Sequence, residues 1–254
     1  VPVVVAERRI AAAQVAARRL GAEVIVADDC FQHRHLARDL DIVLVDVSRP
    51  PDAGMLVPFG PLREPPDSLG RADLVGLSRA DTPAAADRAL QSVRRWYGGP
   101  VFAFRLVHDG MISSGGGPAG PGAGRTVYAF SGIGSHGQFV ASLEREGYEV
   151  RGHRRYRDHR RYRLRDLLRL EKERAEAGAE RLVTTEKDYV RLEGEGDAIG
   201  RLLRELPLDA ARVRVQLVMG EDAVQTALEN ILEESPLPGA PGDGRRKANH
   251  TPIT

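Results

Sequence analysis

The sequence predicts an α/β protein, with a first parallel-sheet domain followed by a second, smaller α/β domain. Short continuous apolar runs alternate with longer helix-like stretches, the pattern of parallel strands covered on both faces. A stretch rich in Gly and Pro, Asp109 to Gly124, interrupts that series and marks a domain boundary. At 254 residues, 42% hydrophobic and 29% charged, the chain carries enough apolar material for two cores.

Each element follows from its residues. Val3 to Val5 reads as a short strand. Arg8 to Leu20 is rich in Ala and Arg and helix-like, and Gly21 supplies the residue that closes such a helix. Glu23 to Ala27 reads as the next strand and Asp41 to Asp46 as another. After a Pro-rich loop, Ala72 to Leu77 predicts a strand, Pro83 to Tyr97 a helix and Val101 to Leu106 a strand. Residues 1–107 form the first domain and 108–125 a flexible linker. In the second domain, 126–234, Thr126 to Phe130 predicts a strand, Gly137 to Glu146 a helix and Tyr148 to Arg151 a strand. Leu164 to Ala177 follows as a helix, then Leu182 to Thr184 and Val213 to Val218 as strands, and Ala223 to Glu233 as the closing helix. Residues 235–254 are Pro-, Gly- and polar-rich, which predicts a disordered tail.

Bulk properties remove several classes. A net charge of +1 gives no global signal for nucleic acid or membrane. The one cysteine, Cys30, excludes an intrachain disulfide framework and fits a reducing cytosol. No apolar run approaches the roughly 18 residues of a spanning helix. No signal peptide is visible, and a first residue of Val predicts that an N-terminal portion is missing.

The chemistry concentrates in a few motifs. Asp28 and Asp29 follow the apolar run Val24 to Ala27, where a buried strand is expected to surface, and ligands of open α/β sheets bind at such strand ends. Paired acids there suit a Mg²⁺–phosphate site, since Mg²⁺ is held by one or two carboxylates plus substrate phosphates. Capping of the following turn is the plainer role for them. The partner motif of such a site, G-x-x-x-x-G-K-[ST], does not occur in these residues. Within Gly54 to Pro65, Arg63 suits a phosphate and Glu64 a metal or a positioning contact, against the alternative of an exposed ion pair on a surface turn.

Gly132 to Gly137 matches G-x-G-x-x-G, and Glu149 lies near where a ribose-binding acid belongs, which admits a nicotinamide-dependent oxidoreductase. A tight strand-to-helix turn is the simpler account. Arg151 to Arg169 holds nine arginines interleaved with Tyr156, Tyr162, His153 and His159. That stretch suits an RNA-binding module with stacking tyrosines, an anionic lipid head group, or a solvated face. Thr184 to Asp188 suits nucleotide recognition or a capping box with Thr185 as N-cap and Asp188 at N3.

Taken in order, these segments resemble the tetraacyldisaccharide 4′-kinase family. Its DDGFQH-, GPLREP-, FxGIG-, PDH- and TTEKD-type motifs stand here as Asp28 to His33, Gly60 to Pro65, Phe130 to Gly134, Tyr156 to His159 and Thr184 to Asp188. The resemblance implies a P-loop-kinase-like parallel-sheet domain lacking its first βα unit, joined to the second domain by a two-stranded link. It implies transfer of the ATP γ-phosphate to the 4′-hydroxyl of a lipid A disaccharide 1-phosphate, with Mg²⁺, in the cytoplasm at the face of the inner membrane. Catalytic roles fall to His159 and Asp29, and nucleotide binding to Asp28, Arg63 and Glu64. Metal ligation falls to Asp28, Asp29 and Glu64, while Gln32 and His33 line the substrate cleft. Neither nucleic acid nor a protein partner is implied. Two departures bear on this. The family glycine after the paired acids is Cys30, which a position of positive φ would resist. The proline before Asp158 is Arg157. The family's phosphate loop and catalytic aspartate lie upstream of these residues, so this chain is expected to be inactive alone.

Overall fold

The structure is a computed structural model that describes residues 1–49, 51, 54–114, 124–158 and 160–234. The core of the expected linker, His159 and the expected tail lie outside the described residues. The elements run α1 (Arg9–Leu20), β1 (Ile42–Asp46), β2 (Leu74–Ser78), α2 (Pro83–Val93), β3 (Val101–Ser113), β4 (Thr126–Ser131) and α3 (His136–Arg145). They continue with β5 (Glu149–Arg155), α4 (Leu164–Glu176), β6 (Arg181–Thr185), α5 (Glu186–Glu193), α6 (Asp197–Glu205), β7 (Leu208–Met219) and α7 (Glu221–Glu234). The α/β class holds, in seven strands ordered β1-β2-β3-β7-β6-β4-β5.

The chain divides into two compact units, Val1–Arg105 with the segment from Leu217 onward, and Leu106–Gln216. It crosses the division twice, once inside β3 and once inside β7. In the first unit β1, β2 and the start of β3 pair in parallel, with Val43 opposite Val75 and Gly76 opposite Phe102. Gly76 is required there, because a Cβ would lie 2.4 Å from the Phe102 ring. Leu74, Val75 and Leu77 are fully buried, and the α2 residues Ala86, Ala89 and Val93 pack on that core. Thr82 caps α2 by accepting the Ala85 N–H, and Pro83 occupies the first turn. Burial of this kind contributes about 25 cal/mol per Å² of apolar surface.

The second unit pairs β7, β6, β4 and β5 in parallel. One face of its sheet packs Phe130, Tyr162, Leu167, Leu170 and Leu182, and a further cluster gathers Val127, Phe139, Leu143 and Val183.

Two expected strands do not form. Val3 to Val5 and Glu23 to Ala27 are irregular, and Val24 and Val26 are 67% and 92% exposed. A strand persists only when its backbone groups find a neighbour, and neither segment has one among the described residues. Helix α1 forms as expected, closed by Gly21 in the left-handed region at φ 62°. Helix α6 and a short 3₁₀ turn over Pro66–Arg71 were not anticipated, and α5 was foreshadowed only by the capping-box alternative at Thr185.

Candidate functional site

Asp28 and Asp29 sit in a turn after an exposed, irregular segment, so the buried strand expected to deliver them is absent here. Asp29 itself occupies the left-handed region at φ 54°, which Asp tolerates. The positive φ thus falls one residue before Cys30, the residue that stands in the place of the family glycine. Cys30 is a buried small side chain that reaches the Asp28 carbonyl at 3.4 Å.

What fixes this turn is Arg38. Its guanidinium donates to the His33 and Leu36 carbonyls at 2.8 and 2.9 Å and grips Asp41 at 2.6 and 2.9 Å. The turn is thereby tied to the residue that precedes β1. Gln32 and His33 are exposed on it.

The second motif meets the first. The Arg63 guanidinium donates to both Asp29 oxygens at 2.6 Å. Arg63 holds the Asp29 carboxyl below the usual range, and in return its own pKa is raised. Glu64 pairs with Arg71 at 2.5 Å, and Arg71 in turn lies 4.6 Å over the Phe31 ring. Residues 28–33 and 60–71, far apart in sequence, thus form one charged surface.

No group of three His, Cys, Asp or Glu side chains able to hold a metal occurs among the described residues. Asp28, Asp29 and Glu64 therefore make no closed cage, and Glu64 is engaged with Arg71. The donor set still fits Mg²⁺, which needs only one or two carboxylates when phosphates supply the rest. Asp28 is exposed, and Asp29 is held by a guanidinium that a phosphate would compete for.

Another acid escaped the sequence reading. Asp46 ends β1, where it takes the Ser48 hydroxyl at 2.7 Å and Arg79 at 3.1 Å. Burial raises its carboxyl, but Ser48, Arg79 and Arg49 outweigh that and leave it lowered. The signal was available, since Asp46 closes the apolar run Ile42 to Val45.

In the second unit the glycine-rich turn is a structural node. Gly132 N–H donates to the fully buried Asp188 at 2.9 Å, and a Cβ on Gly132 would lie 3.1 Å from the Tyr162 hydroxyl. Asp188 stands at N3 of α5, its N–H on the N-cap oxygen of Thr185 at 3.2 Å, and Arg191 reaches it at 3.3 Å. The capping role proposed for Thr184 to Asp188 is the one adopted. Beside it, Ser131 Oγ lies 2.7 Å from His136 Nδ1, and His136 Nε2 lies 3.2 Å from His153 Nδ1. Burial lowers the His136 pKa, His153 and Arg155 lower it further, and Asp188 opposes them. A neutral His136 that accepts the Ser131 hydroxyl donates onward to His153. Sequence reasoning missed His136.

This unit disfavours the two rival readings. Glu149 opens β5 at its amino end and pairs with Arg151 at 2.9 Å, whereas a ribose-binding acid belongs beyond a strand's carboxyl end. Tyr162 is 2% exposed and packs edge-on to Tyr156, so neither ring is a free stacking platform. Burial pushes the Tyr156 hydroxyl up to about 12. Several arginines are also spent on acids. Arg154 and Arg169 hold Glu173, and Arg160 holds Asp166 at 2.8 Å. Asp158, expected beside His159, lies 4.0 Å from Lys187.

Together these features define an α/β protein whose exposed charged surface joins an acidic turn to an Arg–Glu loop. The model of the tetraacyldisaccharide-1-P 4′-kinase family matches residues 1–233, and the chain belongs to that family. It is 41% identical over 236 residues to the tetraacyldisaccharide 4′-kinase of Anaeromyxobacter dehalogenans, covering 90% of this chain and 61% of that one. It is 36% identical to the enzyme of that name from Chlorobium phaeovibrioides, over 83% of this chain and 60% of the relative. Among solved structures, the "apo" form of LpxK from Aquifex aeolicus in complex with ATP matches with a TM-score of 0.64 and 26% identity, over 88% of this chain and 62% of that chain. The chain thus spans roughly three fifths of the length of the relatives it matches.

Proposed function

We propose that this chain carries part of a lipid kinase site, one that moves the ATP γ-phosphate to the 4′-hydroxyl of a tetraacyldisaccharide 1-phosphate. The observation that supports this reading is the contact of Arg63 with Asp29, which unites two family motifs in one charged surface. Asp28 and Asp29 are the residues that would hold the nucleotide's Mg²⁺, which when bound neutralises charge on the transferring phosphoryl group. Arg63 contacts phosphate, with Glu64 a further candidate for nucleotide and metal. Gln32 and His33 line the acceptor side, and His159 is the candidate for acid–base work. The protein works at the cytoplasmic face of the inner membrane, as a peripheral visitor; no helix among the described residues is long and apolar enough to cross a membrane. Ligands are Mg²⁺, ATP and the lipid, with neither nucleic acid nor a protein partner in the scheme.

Phosphoryl transfer depends on a cradle for the β- and γ-phosphates, and these 254 residues contain no Gly-Lys-Ser/Thr loop to supply one. Alone, the chain is therefore inactive. The test is a radiolabelled ATP assay with the disaccharide acceptor. The chain by itself should give no product. The chain extended at its amino end with the matching segment of the Anaeromyxobacter relative should give it, and Asp29→Ala in that extended form should abolish it. Product from the unextended chain would refute the inactivity, and an undiminished rate in the extended Asp29→Ala form would refute the site.

A further inference from the structure

The loop Gly54 to Leu62 is nine residues without one charged or hydrogen-bonding side chain. Met55, Leu56, Val57 and Phe59 on it are 66%, 43%, 62% and 81% exposed, and Pro58 and Pro61 are exposed beside them. A contiguous exposed apolar patch of this kind marks a protein or membrane contact.

The backbone says which. Val57 N–H donates to Leu62 O at 2.8 Å, Phe59 N–H to Leu56 O at 2.9 Å, Gly60 N–H to Leu56 O at 3.0 Å and Leu62 N–H to Met55 O at 3.2 Å. The remaining two residues from Val57 to Leu62 are prolines, which have no N–H. Every backbone donor from Val57 to Leu62 is therefore satisfied within the loop or absent. That removes the donor share of the desolvation penalty that keeps irregular backbone out of an apolar phase, so the tip can press its side chains into acyl chains while its carbonyls stay at the hydrated interface. A protein partner would ordinarily be met with about one hydrogen bond per 100–200 Å² of interface, and from Val57 to Leu62 the loop has no free donor to offer. The loop is also fixed in shape, since a Cβ on Gly60 would lie 2.1 Å from the Met55 carbonyl oxygen. Its end runs straight into Arg63, the residue paired with Asp29.

We infer that residues 57–61 form a wedge that presses its apolar side chains into the acyl layer of a phospholipid membrane and seats the Arg63–Asp29 surface at the head-group level. The inference rests on the lipid kinase reading for its purpose, because an acceptor held in a bilayer must be met there. Its occupant is the lipid surface itself.

The test uses the 254-residue chain and vesicles of phosphatidylethanolamine and phosphatidylglycerol in equal parts, which contain no disaccharide acceptor. Trp96 is the one native tryptophan, so Phe59→Trp in a Trp96→Phe background reports the tip alone. Its emission should shift to the blue on adding vesicles and be quenched by brominated acyl chains. The double variant Val57→Ser, Phe59→Ser should lower vesicle partitioning by about tenfold or more, from the apolar area two such side chains lose. Leu106→Ser, at a site 57% exposed in the same protein, should leave it unchanged. An unshifted, unquenched tip overturns the inference, as does an equal loss in Leu106→Ser. A dimer seen by sedimentation without lipid, and abolished by the double variant, would assign the patch to a second copy and overturn it too. Vesicle insertion by a chain whose extended form transfers no phosphate would sink the kinase reading and leave the wedge standing.

Discussion

Asp29 and Asp188 are both carboxylates that hold an arginine, and they do opposite work. Asp29 and its partner Arg63 have side chains 56% and 61% exposed, and the pair lies open to any competing anion. Asp188 is fully buried, with Gly132 N–H, the Thr185 hydroxyl and Arg191 all directed at it. Water screens the first pair, so it contributes little to folding and can be exchanged for a ligand. The second pair has already lost its water, so its cost is recovered only while every partner stays in place. In this chain, an acid is available for chemistry in inverse proportion to how well the protein itself satisfies it.

The largest break in that comparison should come from Asp188→Ala. Removing a buried, multiply bonded carboxylate strands the Gly132 N–H and deletes its contacts with Thr185 and Arg191, at a cost of about 3 kcal/mol. Urea denaturation followed by the second unit's signal measures it. A loss below about 0.5 kcal/mol would mean that the node is not a structural clamp.

Glu173 sharpens the same contrast through pH. Burial raises its carboxyl, but Arg154, Arg169 and Tyr128 outweigh that and bring it down to about 2 from 4.5. A depressed carboxylate stabilises the fold above its unfolded pKa, and that stability is lost as pH falls through the folded value. Stability should therefore decline between pH 4.5 and about 2. In Glu173→Gln the decline over that window should be shallower by on the order of 2 kcal/mol. An identical acid profile in the variant would show that the arginine cluster does not hold Glu173 in solution.

The elements that the sequence made legible are those whose causes are local. Gly21 ended α1, Thr82-Pro83 started α2, and the apolar runs at Ile42, Leu74 and Thr126 became strands because each has a parallel neighbour to pair with, two for Leu74 and Thr126 and one for the edge run at Ile42. Val24 to Ala27 has the same composition and failed, since strand formation depends on a pairing partner that composition does not encode. In the candidate site, Asp29 and Arg63 were legible as types of residue, but their contact was not, because it joins segments thirty-four positions apart. His136 was hidden for a related reason. Its meaning comes from Ser131 and from His153 on a different strand.

His136 gives a smaller, signed prediction. Its folded pKa is lowered from 6.5, chiefly by burial. A lowered histidine stabilises the neutral fold above pH 6.5, and this contribution erodes as pH falls from there through the folded value. The slope should reach at most about 1.4 kcal/mol per pH unit, the limit for one proton. The titratable and charged neighbours are His153, Arg155 and Asp188, so His153→Asn should relieve part of the shift and flatten the slope. Denaturation midpoints read at several pH values above and below 6 decide it, and a steeper slope in the variant would reverse the proposed order of proton sharing.

The smallest effect on stability belongs to Asp29→Asn. The pair it breaks is exposed and screened, so the unfolding midpoint at physiological salt should not move beyond error. The substitution should nonetheless remove one carboxylate from the surface proposed for Mg²⁺, so Mg²⁺-dependent nucleotide binding by the amino-terminally extended form should fall while its fold is intact. That dissociation of binding from stability is what separates a ligand-facing acid from a structural one. If Asp29→Asn instead destabilised the first unit as Asp188→Ala destabilises the second, Asp29 would be a clamp for the 28–33 turn. The contact with Arg63 would then carry no argument for phosphoryl transfer.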